Sequence, residues 1–180
     1  MLFPDQAGTD PIWTATPRAL FLGLVLFLAE TPGKLVTIGQ VLRESLADGD
    51  GAAYLAKIIN DRAAENKPLS NACVMALNSY ISITSENTRS GVMTSFRSRL
   101  ELWMNPLVDA ATSANDFDLR DLRKRRMTIY LGVTPDNLDR MAPLLNLFFQ
   151  QLIDLNTREL PERNPDLKYQ CLLLPDEFTA

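Results

Sequence analysis

The chain has 180 residues, of which 46% are hydrophobic and 22% are charged, and its formal net charge at pH 7 is -4. This composition is ordinary for a globular protein and provides no general positive field for nucleic acid, so any DNA contact would have to be local. The sequence contains no histidine, which excludes Ser-His and Cys-His nucleophile pairs and most transition-metal sites.

The first part of the chain has the pattern of a series of helices. From about Thr16 to Ala114, apolar residues recur at helical spacing between capping or breaking residues, and no alternating strand pattern appears. The most apolar run, residues 19–29, would be about 16 Å long as a helix, roughly half the thickness of the hydrocarbon core of a bilayer. We therefore expect a buried helix there and no membrane segment. The expected helices open near Pro17, Thr37, Asp50, Pro68, Ser85 and Pro106.

A different pattern follows residue 114. Residues 127–133 (MTIYLGV) form a compact β-type run, residues 144–158 form an apolar helix with Pro143 in its first turn, and residues 169–174 form a second apolar run. Elements of these lengths predict a βαβ unit with parallel strands. Because two parallel strands are not a stable sheet, the pattern is typical of part of a larger α/β domain. The expected fold class is mainly α, with a helical all-α domain followed by a βαβ piece.

The second apolar run leads into two acidic residues. In P-loop ATPases, an apolar strand places an Asp at the Mg²⁺ shell, and a following Glu activates the attacking water. Asp176 and Glu177 occupy these positions, although strands also end in acidic turns for purely structural reasons. The phosphate-binding pattern GxxxxGK[ST] is missing, since the only Gly-Lys pair, Gly33-Lys34, is followed by Leu35. We therefore expect no ATP hydrolysis by this chain.

Basic side chains cluster just before the first β-type run, at Arg120, Arg123, Lys124, Arg125 and Arg126. A second set falls on the fifth predicted helix and consists of Arg89, Arg97 and Arg99. These residues can contact DNA or a neighbouring subunit, or they can form a solvated face that Asp118 and Asp121 partly neutralise. Salt dependence separates the two interpretations, because binding to phosphates weakens steeply as the salt concentration rises.

Four stretches, in this order, resemble the TraG/TraD-like coupling proteins of conjugative type IV secretion systems. They are DPIWTATPRAL at residues 10–20, SENTRSGVMTSFRSRLELWMNP at 85–106, DFDLRDLRKRRMTIYLGVTPDNLDRMAPLLNLFFQQLIDLNTRE at 116–159, and CLLLPDEFTA at 171–180. Colinear order over nearly the whole chain is more specific than any single motif. The members of this family are membrane-anchored, hexameric, RecA-like ATPases that pump DNA.

The resemblance implies three parts of the chain. Residues 1–15 would come from the nucleotide-binding domain, residues 16–114 would form an all-α domain, and residues 115–180 would form a partial RecA-like α/β domain ending in the acidic, Walker B-like motif. The all-α domain would lie in the cytoplasm and recruit the relaxase and its single-stranded DNA. A reducing cytoplasm also suits Cys73 and Cys171, which lack the spacing of a zinc site or a disulfide framework.

The same resemblance assigns roles to the acidic pair. The parent protein would be a homohexamer anchored in the inner membrane that uses Mg-ATP, with Asp176 holding the magnesium and Glu177 activating the water. Both roles would be latent here, because in the family the P-loop lies upstream of the all-α domain. We expect no cofactor in this chain.

The residues themselves leave a second hypothesis open. A freestanding helical adaptor could bind a protein partner through a helix face, without nucleotide chemistry, and the acidic pair would then be only a strand terminus. The hypotheses differ in the strands at Val133 and Leu173, whose edges would remain unpaired in a piece of a larger domain. The large aromatic residues are expected in the core under both hypotheses and not as base-stacking surfaces; they are Trp13, Trp103, Phe148 and Phe149.

Overall fold

The computed structural model describes residues 2–3, 8, 10–47 and 50–174. The chain divides into two units, Leu2–Ala114 and Asn115–Ala180. The first unit contains the helices α1 (Ile12–Ala29), α2 (Ile38–Ser45), α3 (Gly51–Ala64), α4 (Asn71–Ile81), α5 (Glu86–Arg99) and α6 (Pro106–Ala111), with a 3-10 helix at Glu101–Met104. In the described part of the second unit, α7 (Leu138–Thr157) is accompanied by short 3-10 helices at Leu119–Asp121 and Pro135–Asn137.

Local capping residues begin the helices largely as the sequence predicts. Three predicted N-cap side chains accept hydrogen bonds from backbone N–H groups of the first turn: Thr37 before α2 (3.1 Å), Asp50 before α3 (3.0 Å) and Ser85 before α5 (3.3 Å). Two prolines lie deeper in their helices than predicted, because α1 already begins at Ile12 and α7 at Leu138. The start of α6 at Pro106 was predicted correctly, whereas α4 was expected to open near Pro68 and begins at Asn71, after the cap Ser70.

Helix α1 is the centre of the first unit. Its Leu20, Leu24 and Leu28 are almost completely buried, and its neighbours are mainly α4 and α5. The α1 and α4 helices run antiparallel, since Gly23 lies against Leu77 while Glu30, at the end of α1, accepts a hydrogen bond from Ser70, at the start of α4. By length and composition alone α1 could also cross a membrane, a test that core helices of soluble proteins pass as well.

A buried carboxylate joins α2 to its surroundings. Glu44 accepts hydrogen bonds from Lys34, from Gln40 Nε2 (2.9 Å) and from the hydroxyl of Tyr54 on α3 (2.8 Å). Burial raises the pKa of this carboxyl, but hydrogen bonds from Lys34, Tyr54 and Gln40 lower it more, so that it lies below its ordinary value. The pKa of Tyr54 is raised to about 12, mainly by burial of its hydroxyl and secondly by the hydrogen bond to Glu44 and the negative charge of that carboxylate. Glu44 is thus a charged part of the core with its hydrogen bonds satisfied.

The predicted aromatic core is only partly present. Trp103 is buried and its indole N–H donates to Thr112 Oγ1 (2.9 Å), which confirms the prediction for this residue. Trp13 is 38% exposed and Phe149 is 36% exposed, so their placement in the core was wrong. Phe149 packs edge-on against Phe148, with ring centroids 5.6 Å apart.

The expected βαβ piece of a RecA-like α/β domain is absent from the described residues, and this part of the fold prediction was wrong. Residues 127–133 and 169–174 have no regular secondary structure. Tyr130 is 90% exposed, Leu172 76% and Leu174 83%. Parallel strands are stable only with hydrogen-bonded neighbours and helices over both faces, and neither run has them in the described structure. The described chain is helical and irregular, which fits a mainly α fold class.

Candidate functional site

The acidic pair, Asp176 and Glu177, lies outside the described residues, so the roles of these residues in holding magnesium and activating water remain predictions. Among the described residues, no three His, Cys, Asp or Glu side chains form a group that could hold a metal ion. Both basic sets lie within the described part of the chain.

The first basic set belongs to a short segment that packs against the end of α7. Leu119 opens this segment and is buried, and its carbonyl oxygen accepts a hydrogen bond from the side-chain amide of Asn156 (3.2 Å). Arg123 Nη1 donates to the carbonyl oxygens of Asn156 (2.7 Å) and Glu159 (3.0 Å). The last carbonyls of a helix have no partner inside it and carry partial negative charge, so a guanidinium is well suited to this place. Arg123 therefore holds the segment in position.

Two of the remaining basic residues are paired with acids. Arg120 Nε and Nη2 contact the carboxylate of Asp118 at 2.9 and 2.5 Å, and Arg125 Nη2 lies 3.0 Å from Asp121 Oδ2. The hydrogen bonds from Arg120 lower the pKa of Asp118 to about 2, and the carboxylate in turn raises the pKa of Arg120. Both acids therefore neutralise part of this surface, as the solvated-face interpretation supposes.

Lys124 and Arg126 differ from the other three. Both are exposed, and in the described part of the chain neither has an ion pair within 4 Å. Of the five basic residues, Arg123 anchors the segment, and two are neutralised by acids, Arg120 and Arg125. The remaining two, Lys124 and Arg126, face solvent. The sequence spacing alone treats these five side chains as equivalent.

The second basic set has structural contacts within the first unit. Arg89 Nη2 lies 3.2 Å from Asp50 Oδ2, and Arg97 donates to the carbonyl oxygen of Ser45 at the end of α2. Arg99 is partly buried in the last turn of α5, where a positive charge interacts favourably with the negative end of the helix dipole. These contacts favour a role in the fold for Arg89 and Arg97.

An aromatic feature next to the first basic set was missed by the sequence reasoning. The backbone N–H of Tyr169 donates to the carbonyl oxygen of Arg123 (3.0 Å), which brings residues 168 and 169 beside the basic segment. Tyr169 is 37% exposed, and Tyr130, four residues after Arg126, is 90% exposed. Both tyrosines lie in runs that were predicted to be strands, and for this reason their rings were not predicted to be exposed.

The sequence matches a family model described as type IV secretory system conjugative DNA transfer over residues 1–180. The chain belongs to this family. The match covers the whole sequence and includes the acidic pair and both basic sets. It confirms the family that the four colinear stretches indicate.

Individual members of the conjugative DNA transfer family agree with this assignment. The chain is 48% identical over 79 residues, 44% of its length, to protein VirD4 of Rhizobium rhizogenes, and 47% identical over 79 residues to VirD4 of Agrobacterium fabrum. It is 22% identical to the conjugal transfer protein TraG of Escherichia coli over an alignment of 189 residues that covers 98% of the chain.

The relatives are much longer than the part that matches. The aligned regions span 12% of the VirD4 of Rhizobium rhizogenes and 29% of TraG. The activity, substrates and assembly of a whole protein of the conjugative DNA transfer family are therefore proposals for this chain.

Proposed function

We propose that this chain serves in a conjugative type IV secretion coupling protein, and that its first unit recruits the relaxase and attached DNA to the secretion channel. The observation that carries the proposal is the family match over residues 1–180. In the same proposal, the whole protein is a homohexamer at the cytoplasmic side of the inner membrane and uses Mg-ATP. Asp176 would hold the magnesium there, and Glu177 would activate the water.

The packing of the first unit supports a recruiting role. Its helices bury a core of their own, centred on Leu20, Leu77 and Phe96, each 0% exposed. The described residues of this unit present exposed apolar side chains on separate elements, including Met75 on α4 (74%) and Leu107 on α6 (80%). A unit with a core of its own can present a binding surface without the second unit, and these exposed apolar side chains are candidate contacts for a protein partner.

The second unit has much less core of its own. In α7, a helix of 20 residues, only Leu152 is buried. A helix with many apolar residues normally gains most of its stability from burial against neighbours. This supports the proposal that the second unit works as part of a larger assembly.

A parallel binding assay tests the recruitment proposal. The purified chain is immobilised and exposed separately to a relaxase of a conjugative system and to a single-stranded oligonucleotide. We expect saturable relaxase binding, and we expect Met75→Asp or Leu107→Asp to weaken it by roughly tenfold or more if the substituted side chain lies at the centre of the interface.

The two substitutions control for one another, because each removes an exposed apolar side chain from a different helix. Circular dichroism verifies that both variants remain folded. If the chain binds a relaxase no more strongly than it binds an unrelated DNA-binding protein, the recruitment proposal is contradicted. Equal binding by wild type and both variants would place the contact on another face of the first unit.

A further inference from the structure

We infer that Leu2 and Phe3 form a strap across the first unit, and that the strap is fastened in a socket for one aromatic ring between Phe21 of α1 and Phe96 of α5. The strap opens while the helices remain folded, and its opening uncovers the socket. It is a conformational device of the first unit and does not depend on the proposed function.

The ring of Phe3 is buried although it lies close to the start of the sequence. It is 6% exposed and stacks on Phe96, which is 0% exposed, with the ring centroids 5.7 Å apart and the ring planes 14° apart. The ring of Phe21 lies on the Phe3 ring as well, with the centroids 5.5 Å apart and the planes tilted by 52°. Both centroid distances are typical of favourable aromatic pairs. A single ring therefore contacts two helices at once.

A hydrogen bond fastens the backbone of the strap at the same place. Arg18 Nη2, on α1, donates to the carbonyl oxygen of Phe3 at 2.9 Å. Arg18 precedes Phe21 by three residues, so the guanidinium and the Phe21 ring lie on one face of α1. The strap is thus held through both its side chain and its main chain.

These contacts close the strap without making it as stable as the helices. Burial of one phenylalanine ring favours the closed state by roughly tenfold to a hundredfold, and one hydrogen bond adds about tenfold at most. Fixing the backbone of two residues opposes this by roughly thirtyfold or more. The helices pack around other side chains, including Leu20, Leu24 and Leu77, which are at most 1% exposed. Since unfolding of a domain is disfavoured by roughly a thousandfold or more, the strap opens first.

Toluene tests the socket in the full chain, because it has the ring and the first carbon of a phenylalanine side chain. Phe3→Ala should keep the helical circular dichroism of wild type and should have an empty socket. Saturating toluene should raise the thermal midpoint of this variant by about 2–4 °C, since a ligand that binds only the folded state stabilises it. Wild type should not shift, because Phe3 fills its socket.

Leu2→Ala is the matched control for Phe3→Ala. It truncates the neighbouring apolar side chain, which is half-buried, and leaves the aromatic socket filled. We expect toluene to leave the thermal midpoint of this control unchanged.

The mobility of the strap has a readout of its own. The anisotropy of a fluorophore attached to the N-terminal amine should be lower in Phe3→Ala than in wild type or Leu2→Ala, because the chain is no longer fastened to α1 and α5. Toluene should not restore this anisotropy, since it fills the socket without holding the chain. Filling of the socket and fastening of the strap are thereby measured separately.

Four results would each overturn the inference. Loss of the helical signal in Phe3→Ala would show that Phe3 belongs to the cooperative core of the unit. An equal toluene shift in Leu2→Ala, or no shift in Phe3→Ala, would show that toluene does not bind in a socket that Phe3 vacates. An unchanged anisotropy in Phe3→Ala would show that the chain is fastened elsewhere.

Discussion

At the scale of single residues, the most consequential contact is the buried carboxylate of Glu44. Its partners come from three places in the first unit, the loop before α2, α2 itself and α3. Because the pKa of Glu44 is lower in the folded protein than its ordinary value, its contribution to stability is fully present above that ordinary value, near pH 4.5. The contribution is lost as the pH falls below 4.5 through the folded pKa.

Replacing this carboxylate should therefore destabilise the protein in a pH-dependent way. We expect Glu44→Gln to lower the free energy of unfolding by about 1–3 kcal/mol at pH 7, because Lys34 loses its charged partner. Urea unfolding at pH 7 and at about pH 3 measures both values. The difference between wild type and variant should shrink at the lower pH.

Glu65→Gln is the matched control for Glu44→Gln. Glu65 is exposed just after α3, and its substitution should change stability by less than about 0.5 kcal/mol. A Glu44→Gln variant as stable as Glu65→Gln at pH 7 would show that the buried network adds nothing to the fold.

Three of the helix caps could be predicted at this scale, because a cap depends on three or four consecutive residues. Thr37, Asp50 and Ser85 were found in this way. The role of Arg123 could not be predicted, because it depends on the carbonyl oxygens of Asn156 and Glu159, more than thirty residues away.

At the scale of elements, the most extensive contact between helices is that of α1 with α4. A Cβ on Gly23 would lie 2.7 Å from Leu77 Cδ2 and 3.0 Å from the backbone nitrogen of Leu77. Cys73 Sγ donates to the Gly23 carbonyl oxygen at 3.4 Å from the same side, and burial raises the pKa of this thiol to about 11. The two helices therefore approach each other through a position that has no side chain.

We expect Gly23→Ala to destabilise the first unit by about 1–2 kcal/mol, because the cost of overpacking exceeds the gain in helix propensity. Gly91→Ala is the control on α5, where the added Cβ would meet only the ring of Trp13, which is 38% exposed and can move. This control should be neutral or up to about 1 kcal/mol more stable. Urea unfolding compares the two, and a Gly23→Ala variant at least as stable as Gly91→Ala would contradict the packing argument.

The helices and the strands were predicted with different success for a physical reason. A helix satisfies its hydrogen bonds within its own segment, so spacing and capping residues are enough to locate it. A strand needs partners, and the runs at residues 127–133 and 169–174 have none in the described structure. The apolar residues of these two runs indicated side chains that need burial, but the sequence did not show which elements would bury them.

At the scale of the whole molecule, the family could be predicted from the order of four stretches, and the match over residues 1–180 confirmed it. The two units differ in their internal packing: the first buries leucines from several helices, whereas α7 of the second buries Leu152 alone. A recruiting surface can belong to one folded unit. Nucleotide hydrolysis requires a phosphate-binding loop and an acidic pair together, so we expect neither unit to hydrolyse nucleotide by itself.

This requirement predicts that the chain alone does not hydrolyse ATP. Its only Gly-Lys pair has a structural role, since Gly33 adopts a positive φ of 84° in the turn after α1, and Lys34 binds Glu44 with its ammonium 4.8 Å from the centre of the Phe27 ring. Phosphate release measured with Mg-ATP should equal the protein-free background for wild type and for Glu177→Gln alike. Lys34→Ala should lower stability without changing that rate. Turnover that disappears in Glu177→Gln would overturn the prediction, because it would show that the acidic motif is active without the P-loop on which its latent role depends.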